Sequence, residues 1–382
     1  MNLVQRNVVL GVIAAALAVP TFLQLQRDAD SFVDVGRVPL LFDGFTADNV
    51  GVITIGQPKK EQPVAEPNNP NAPKVLYDQL VLQRSDKGWM LAQVPGQDLP
   101  GAPVSKDLVE ANLFAHLRAI RIDRDVLVQP NATPDQLEKF GLDEAHAFVI
   151  VATDATQRNV IADLMVGKDA GAGQTGSEAV RGVYVRKRDS NDVVLYEYEK
   201  TWLRSAQREQ WLDKTLAKLD PDKILKLRIV NAATPEAVVF EKKDGKASWT
   251  AVSAPAGVGA VRQTEVENLV QRLRYLAVQD FRTRIETASN LAQLGLQPGK
   301  IQIDFTVKDG DKVRDVKLSV GNQLEGKNEF YLQCTEQPQF VMTWPAGAVT
   351  PFELDVKAQC FDPAAPAPGT GDKPAEPKKD EK

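Results

Sequence analysis

The residues able to do chemistry are few and scattered. Gly171-Ala-Gly173-Gln-Thr-Gly176 matches G-x-G-x-x-G after an expected strand, with Asp192 downstream at a distance suited to a ribose contact. A dinucleotide site needs the third glycine to open a helix whose N–H groups meet pyrophosphate. Here Ser177 leads within a few residues into Gly182-Val-Tyr-Val-Arg186, a strand pattern, so a hairpin loop is the expectation. His116 and His146 are the two histidines, and neither has a second His or a Cys at ligand spacing. No G-x-S-x-G or S-x-x-K signature is present. Carboxylates are plentiful (Asp123, Asp125, Asp135, Asp143, Glu144), but two of them make an acid–base pair only where folding brings them together. No catalytic, cofactor-binding or metal-binding residue is nominated, and no cofactor is expected.

Cys334 and Cys360 are the two cysteines. In an oxidising compartment they could be bridged, closing a loop of about 25 residues and adding about 3 kcal/mol by the chain-entropy argument. Two separate buried thiols are the alternative. With two cysteines and two histidines, zinc ribbons, iron–sulfur clusters and disulfide-stapled miniproteins are excluded. The 382 residues carry 46 basic and 51 acidic side chains, net −5, which excludes a generally basic nucleic-acid binder. Hydrophobic residues at 43% are enough for a real core.

Positions 7–26 carry no charge. As a helix, about twenty residues at ~1.5 Å each just cross a ~30 Å hydrocarbon layer. Arg6 precedes the stretch, and Arg27, Asp28, Asp30 and Asp34 follow it, which favours an N-terminus inside and a body outside the cytoplasm. A signal anchor would keep this helix. Cleavage near Ala16-Leu17-Ala18 would instead release a secreted or periplasmic body. The anchor is preferred, because apolar residues continue through Phe22, Leu23 and Leu25. At the other end, 362–382 is rich in Pro, Gly and balanced charge and is expected to be a disordered tail.

Between these ends the chain repeats itself. QLEKFGL, ending at Leu142, echoes NLAQLGL, ending at Leu296; LMVG, ending at Gly167, echoes LSVG, ending at Gly321. Both pairs stand at one offset (295 − 141 = 154 and 321 − 167 = 154). HLRAI from His116 matches RLRYL from Arg272, and Trp89 matches Trp249. Ordered anchors at nearly constant spacing indicate one unit made twice.

Each copy is expected to hold two early strands (50–55 and 80–84; 224–230 and 238–242), then a helix, an extended link and a run of antiparallel strands. Leu113, Phe114, Leu117 and Ile120 form the apolar stripe of the first helix, and Val266, Leu269, Val270, Leu273 and Leu276 that of the second. Thr264 and Glu267 suggest a capping box. His116, matched to Arg272, is expected to be partly exposed, and the two tryptophans to pack. The fold class is therefore α+β: two tandem related domains, each a mainly antiparallel sheet with one packed amphipathic helix, behind an N-terminal transmembrane helix. The boundaries are 1–27 anchor, 28–40 linker, 41–215 first repeat with a Pro- and Asn-rich loop insert at 56–75, 216–361 second repeat, and 362–382 tail.

The order of membrane helix, early strand, GW turn, HLRAI helix, Phe140-Gly-Leu-Asp143 and Leu164-Met-Val-Gly-Lys168 resembles the family called domain of unknown function 4340. The usual proline after that first motif is replaced by Glu144-Ala145, whereas the second copy keeps Leu294-Gly-Leu-Gln-Pro298 and Leu318-Ser-Val-Gly321. The resemblance spans most of 42–355. It implies a membrane-anchored protein, often encoded beside gliding-type ABC transporter components, and carries over no catalytic residue.

The first expectation is thus a non-enzymatic, membrane-anchored extracytoplasmic accessory or interaction protein. ABC transporter subunits are the implied partners, and the edge strands and the 56–75 loop are the candidate contact surfaces. A lipid- or glycan-binding module between the repeats is the alternative, recognisable by a deep apolar pocket. An envelope hydrolase, the third reading, would need clustered titratable groups in a cleft.

Overall fold

A computed structural model describes residues 39–59, 77–94, 96–171, 182–242, 248–285 and 291–364. The expected anchor, nearly all of the 28–40 linker, most of the 56–75 insert and the tail beyond 364 lie outside these residues, as do most of the G-x-G-x-x-G residues. Among the described residues no helix is long and apolar enough to cross a membrane.

The first half holds β1 (Val52–Pro58), β2 (Tyr77–Ser85), β3 (Gly88–Leu91), helix α1 (π-helical over Asp107–Leu113, α-helical over Phe114–Ala119), β4 (Leu127–Gln129), α2 (Pro134–Phe140), β5 (Phe148–Thr153), β6 (Val160–Ala170), β7 (Gly182–Lys187) and β8 (Val193–Glu197). The second holds β9 (Thr215–Lys218), β10 (Ile224–Val230), β11 (Val238–Glu241), β12 (Thr250–Ser253), β13 (Val258–Val261), α3 (Gln263–Arg272), β14 (Tyr275–Ala277) and β15 (Asp280–Arg284). It continues with β16 (Ile301–Asp309), β17 (Lys312–Gln323), β18 (Glu329–Cys334), β19 (Phe340–Pro345), α4 (Ala346–Glu353), α5 (Val356–Cys360) and β20 (Phe361–Pro363).

Two eight-stranded sheets carry the fold, and their connectivity is the same. The first runs β3-β2-β1-β5-β6-β7-β8-β4 and the second β12-β11-β10-β16-β17-β18-β19-β15. Their strands pair antiparallel, for example Ile55 with Ile150 and Ile229 with Ile303. The class is sheet-rich α+β. Alternation explains the strands: Ile301, Ile303, Phe305 and Val307 are buried, while Gln302, Asp304 and Thr306 between them face the other way. On that polar face Arg228 pairs with Asp304 at 2.8 Å.

The helical stripes go where their spacing sends them. Val109, Leu113, Phe114 and Leu117 of α1, and Val266, Leu269 and Val270 of α3, are buried, each contributing roughly 1.5–3 kcal/mol of transfer free energy. The expected capping box is absent. Arg262 is the N-cap of α3 and Thr264 lies inside the helix, because Arg262 N donates to Cys360 O at 2.8 Å and extends β13 into the helix start. Residue 276 also falls outside the helix, in β14, although Leu276 is buried as expected.

Two small pairings recur that carry no periodic signal. Val104 bridges Leu212 and Ser105 N donates to Trp211 O at 2.8 Å, as β13 pairs with β20. Leu40 bridges Arg121, as β9 pairs with β14.

Two compact units result: Met1–Trp89 with Lys106–Gln210, and Met90–Ser105 with Trp211–Lys382. The expected boundaries at 41–215 and 216–361 differ from this in two respects, since Trp211–Thr215 falls in the second unit and so does an earlier segment. Met90–Ser105 belongs with the second unit, through pairings such as that of Val104 with Leu212.

Candidate functional site

The described residues that sequence reasoning singled out mostly do structural work. Trp89 and Trp249 are buried as expected, each beneath a cation: Arg84 lies 5.5 Å from one ring and Lys242 5.1 Å from the other. Cys334 and Cys360 are two buried free thiols. Burial pushes the first up to about 11 and the second up to about 12. Asp192 accepts the Asn131 amide in a turn, and Asp123 accepts that of Asp125. β6 and β7 are antiparallel neighbours, Ala170 pairing with Gly182, so the glycine motif connects a hairpin rather than a strand to a helix. No cluster of three or more His, Cys, Asp or Glu suited to a metal ion occurs among the described residues.

His116 differs from its expectation. It is buried, at 5% exposure, whereas its counterpart Arg272 is exposed. Its Nδ1 lies 2.9 Å from the Tyr196 hydroxyl, and its ring stacks on Trp202 with centroids 5.0 Å apart and planes at 22°. Tyr198 meets the same ring edge-on at 5.7 Å. Burial lowers the His116 pKa, helped by the charges of Arg204 and Lys200 and opposed by a hydrogen bond to the Thr201 backbone. Burial, reinforced by Tyr198, pushes Tyr196 up to about 12. The cluster is thus held neutral on both sides.

The segment carrying Trp202 and Arg204 is fastened to α1. Asn112 Nδ2 donates to Thr201 O at 2.6 Å, and Leu203 N donates back to Asn112 Oδ1 at 3.1 Å. Arg204 emerges with Nη2 2.6 Å from Asp169 and 3.5 Å from the Tyr198 hydroxyl. Its guanidinium borders a cavity of about 470 Å³ whose other polar walls are Gln57, Lys59 at the end of β1, and His146 in the turn before β5. Pro58, Phe148 and Val166 supply apolar wall. Lys59 pairs with Asp78 at 3.4 Å, and His146 Nδ1 donates to the Asp143 carboxylate at 2.8 Å.

Two of the residues named from the sequence, Asp143 and His146, are therefore brought together, while Arg204, Lys59 and Trp202 were missed. The aromatic run Tyr196, Tyr198, Trp202 beside Lys200 and Arg204 was the available signal. The second unit has a larger groove of about 790 Å³ between α3 and α4, bordered by Leu269, Pro351 and Leu354.

A sheet-rich α+β protein whose two sheets share one connectivity, with a polar cavity in the first unit, is the class that fold and site define. Residues 98–288 match the family model described as Domain of unknown function (DUF4340), and the chain belongs to that family. The matched span is narrower than the resemblance, and it contains both Phe140-Gly-Leu-Asp143 and Leu164-Met-Val-Gly-Lys168. No curated protein and no solved structure matches the chain.

Proposed function

We propose that the chain is a non-enzymatic accessory protein of the cell envelope. In this reading the apolar stretch at 7–26 tethers it, the body lies outside the cytoplasm, and the body binds a protein partner such as an ABC transporter subunit. The partner class rests on what the family resemblance implies, and the charge pattern around the stretch supports the topology.

The observation that carries the interaction reading is the outer edge of the second sheet. Among the described residues β12 pairs only with β11. None of its four residues is charged, and Val252 is 57% exposed. The corresponding strand of the first sheet is already lined: Leu91 N donates to Ala102 O at 2.9 Å, Gly101 N donates to Leu91 O at 2.8 Å, and Met90 bridges Pro103. An edge satisfied within the chain in one sheet and, among the described residues, unpaired in the other suits addition of a partner strand.

Photo-crosslinking from position 252 in native membranes, followed by partner identification, tests this. A transporter subunit is expected among the products, and Val252→Pro is expected to lose it. Recovery of no transporter subunit, or fractionation of the intact chain with the soluble cytoplasm, would refute the reading. A ligand-binding role is the second reading, favoured by the cavity beside Arg204.

A further inference from the structure

We propose that the cavity beside Arg204 is a binding site for a phosphate head carried on an apolar body. The inference goes beyond the accessory role and does not depend on it.

Three basic side chains from three separate segments, Lys59, His146 and Arg204, line the cavity beside the amide of Gln57, with no carboxylate among the lining residues. Each is oriented by a carboxylate standing outside the lining, namely Asp78 at 3.4 Å, Asp143 at 2.8 Å and Asp169 at 2.6 Å. Side chains fixed in this way need little reorganisation on binding. The three carboxylates also offset the two cations Lys59 and Arg204, so net charge does not drive binding. Affinity would then come from directed N–H donors and from the apolar wall of Pro58, Phe148 and Val166. A volume of about 470 Å³ is ordinary for a small-ligand cavity.

The hydrogen bonds select the shape of the head. Arg204 Nη2 lies 2.6 Å from Asp169 and 3.5 Å from the Tyr198 hydroxyl, so both of its N–H groups have partners and neither two-nitrogen fork is free to grip a planar carboxylate. Nε and Nη1 of Arg204, and Nε2 of His146, have no partner among the described residues. Arg204 offers N–H donors, while His146, with Nδ1–H given to Asp143, presents Nε2 as an acceptor, and a phosphate that keeps one O–H can meet both from different sides.

The second unit serves as a control. Phe148 pairs with Val166 as Ile301 pairs with Val320, so counted back from the strand the place of His146 is taken by Gly299, and counted forward from Leu142 and Leu296 by Lys300. Ile55 pairs with Ile150 as Ile229 pairs with Ile303, so four residues downstream the place of Lys59 is taken by Ala233. The second unit is therefore built without the Lys59 amine and without an imidazole. Stability does not account for them in the first unit either, since partly exposed ion pairs contribute only about 0–1 kcal/mol.

Calorimetric titration of the full chain in a neutral detergent, with hexyl phosphate as probe, tests the proposal. Saturable binding is expected, about tenfold or more tighter than that of inorganic phosphate because the hexyl chain meets the apolar wall. Arg204→Gln and His146→Gln should each weaken it about tenfold or more. Arg272→Gln, in the second unit, should leave it unchanged. Ala145→Leu, which narrows the cavity without touching a charge, should also weaken it, and unchanged thermal melting would show that each variant is folded. Displacement of hexyl phosphate by dilauroyl phosphatidic acid in the same micelles would assign a lipid headgroup, and binding without displacement would assign a free phosphate ester. Absence of saturable binding, or full binding by folded Arg204→Gln and His146→Gln, would overturn the proposal.

Discussion

The carbonyl oxygen of Phe140 occupies the place where a side chain at position 167 would begin, and Gly167 is what lets it stay there. The carbonyl of Leu294 faces Gly321 in the same way. Gly141 and Gly295, which close the preceding turns, both sit in the left-handed region, at φ +68° and +70°. The next residue along the strand caps those turns: Lys168 Nζ donates to Lys139 O at 2.9 Å and Asn322 Nδ2 to Gln293 O at 2.7 Å. The paired motifs FGL and L-x-V-G are thus two halves of one backbone-to-strand contact, and their recurrence is a packing requirement.

Gly167→Ala and Gly321→Ala should each destabilise the unit that contains them by about 1–3 kcal/mol, the usual cost of overpacking. Gly347→Ala, where an added carbon meets nothing within 4 Å, should be neutral or slightly stabilising. Urea unfolding of the three variants checks this, and equal midpoints would separate the motifs from packing.

The strands were legible because a sheet with one polar face writes its alternation into the sequence, as in Ile301–Asp309. The short pairings of β9 with β14 and of β13 with β20 were not, since three or four residues carry no period. Met90–Ser105 looked continuous with the first repeat, and only its long-range pairings place it with the second unit. His116 was misjudged for a different reason. Its repeat partner Arg272 is exposed, and among the described residues no stacked counterpart of Trp202 covers that position, so shared sequence position did not mean shared environment. For the cavity, spacing could name Asp143 and His146, yet nothing local brings Arg204 to them across the chain.

The His116 cluster should make the first unit acid-sensitive. Burial holds the folded-state pKa below the usual 6.5, so as pH falls the unfolded chain takes up the proton first. Stability from this source is present above the usual value, is lost progressively as pH falls below it, and levels off once the folded imidazole also titrates. Tyr196, Tyr198, Trp202 and the Thr201 backbone surround the ring, with Lys200 and Arg204 as the nearby charges, and none offers a carboxylate to the imidazolium. Melting temperatures measured from about pH 7.5 to 5 should fall more steeply for the parent than for His116→Gln. Parallel curves would remove His116 as the cause.

The two thiols should be inert until the protein unfolds. With pKa values pushed to about 11 and about 12 by burial, little thiolate exists at neutral pH and neither sulfur is accessible. Ellman's reagent should react slowly with the native chain and release two equivalents after unfolding without reductant. Zero equivalents after unfolding would mean a bridge between Cys334 and Cys360.

Asn231 should be among the least replaceable polar residues of the second unit. Its Nδ2 donates to Phe352 O at 2.6 Å and to Leu354 O at 2.8 Å, while its Oδ1 accepts the Thr234 amide at 2.6 Å. Thr234 Oγ1 in turn donates to Asp355 at 3.1 Å and accepts from Val356 N at 3.0 Å, so one buried side chain ties the end of β10 to the turn between α4 and α5. Asn231→Leu keeps the volume but strands one donor and two acceptors, each worth about 1–3 kcal/mol when buried unpaired. A loss of about 3 kcal/mol or more in urea unfolding is expected. Asn231→Asp should not rescue it, because a carboxylate facing two carbonyls has nothing to donate, although it can still accept from Thr234. Full stability of Asn231→Asp would show that the two carbonyl contacts contribute nothing and that the turn is held by Thr234 and Asp355 alone.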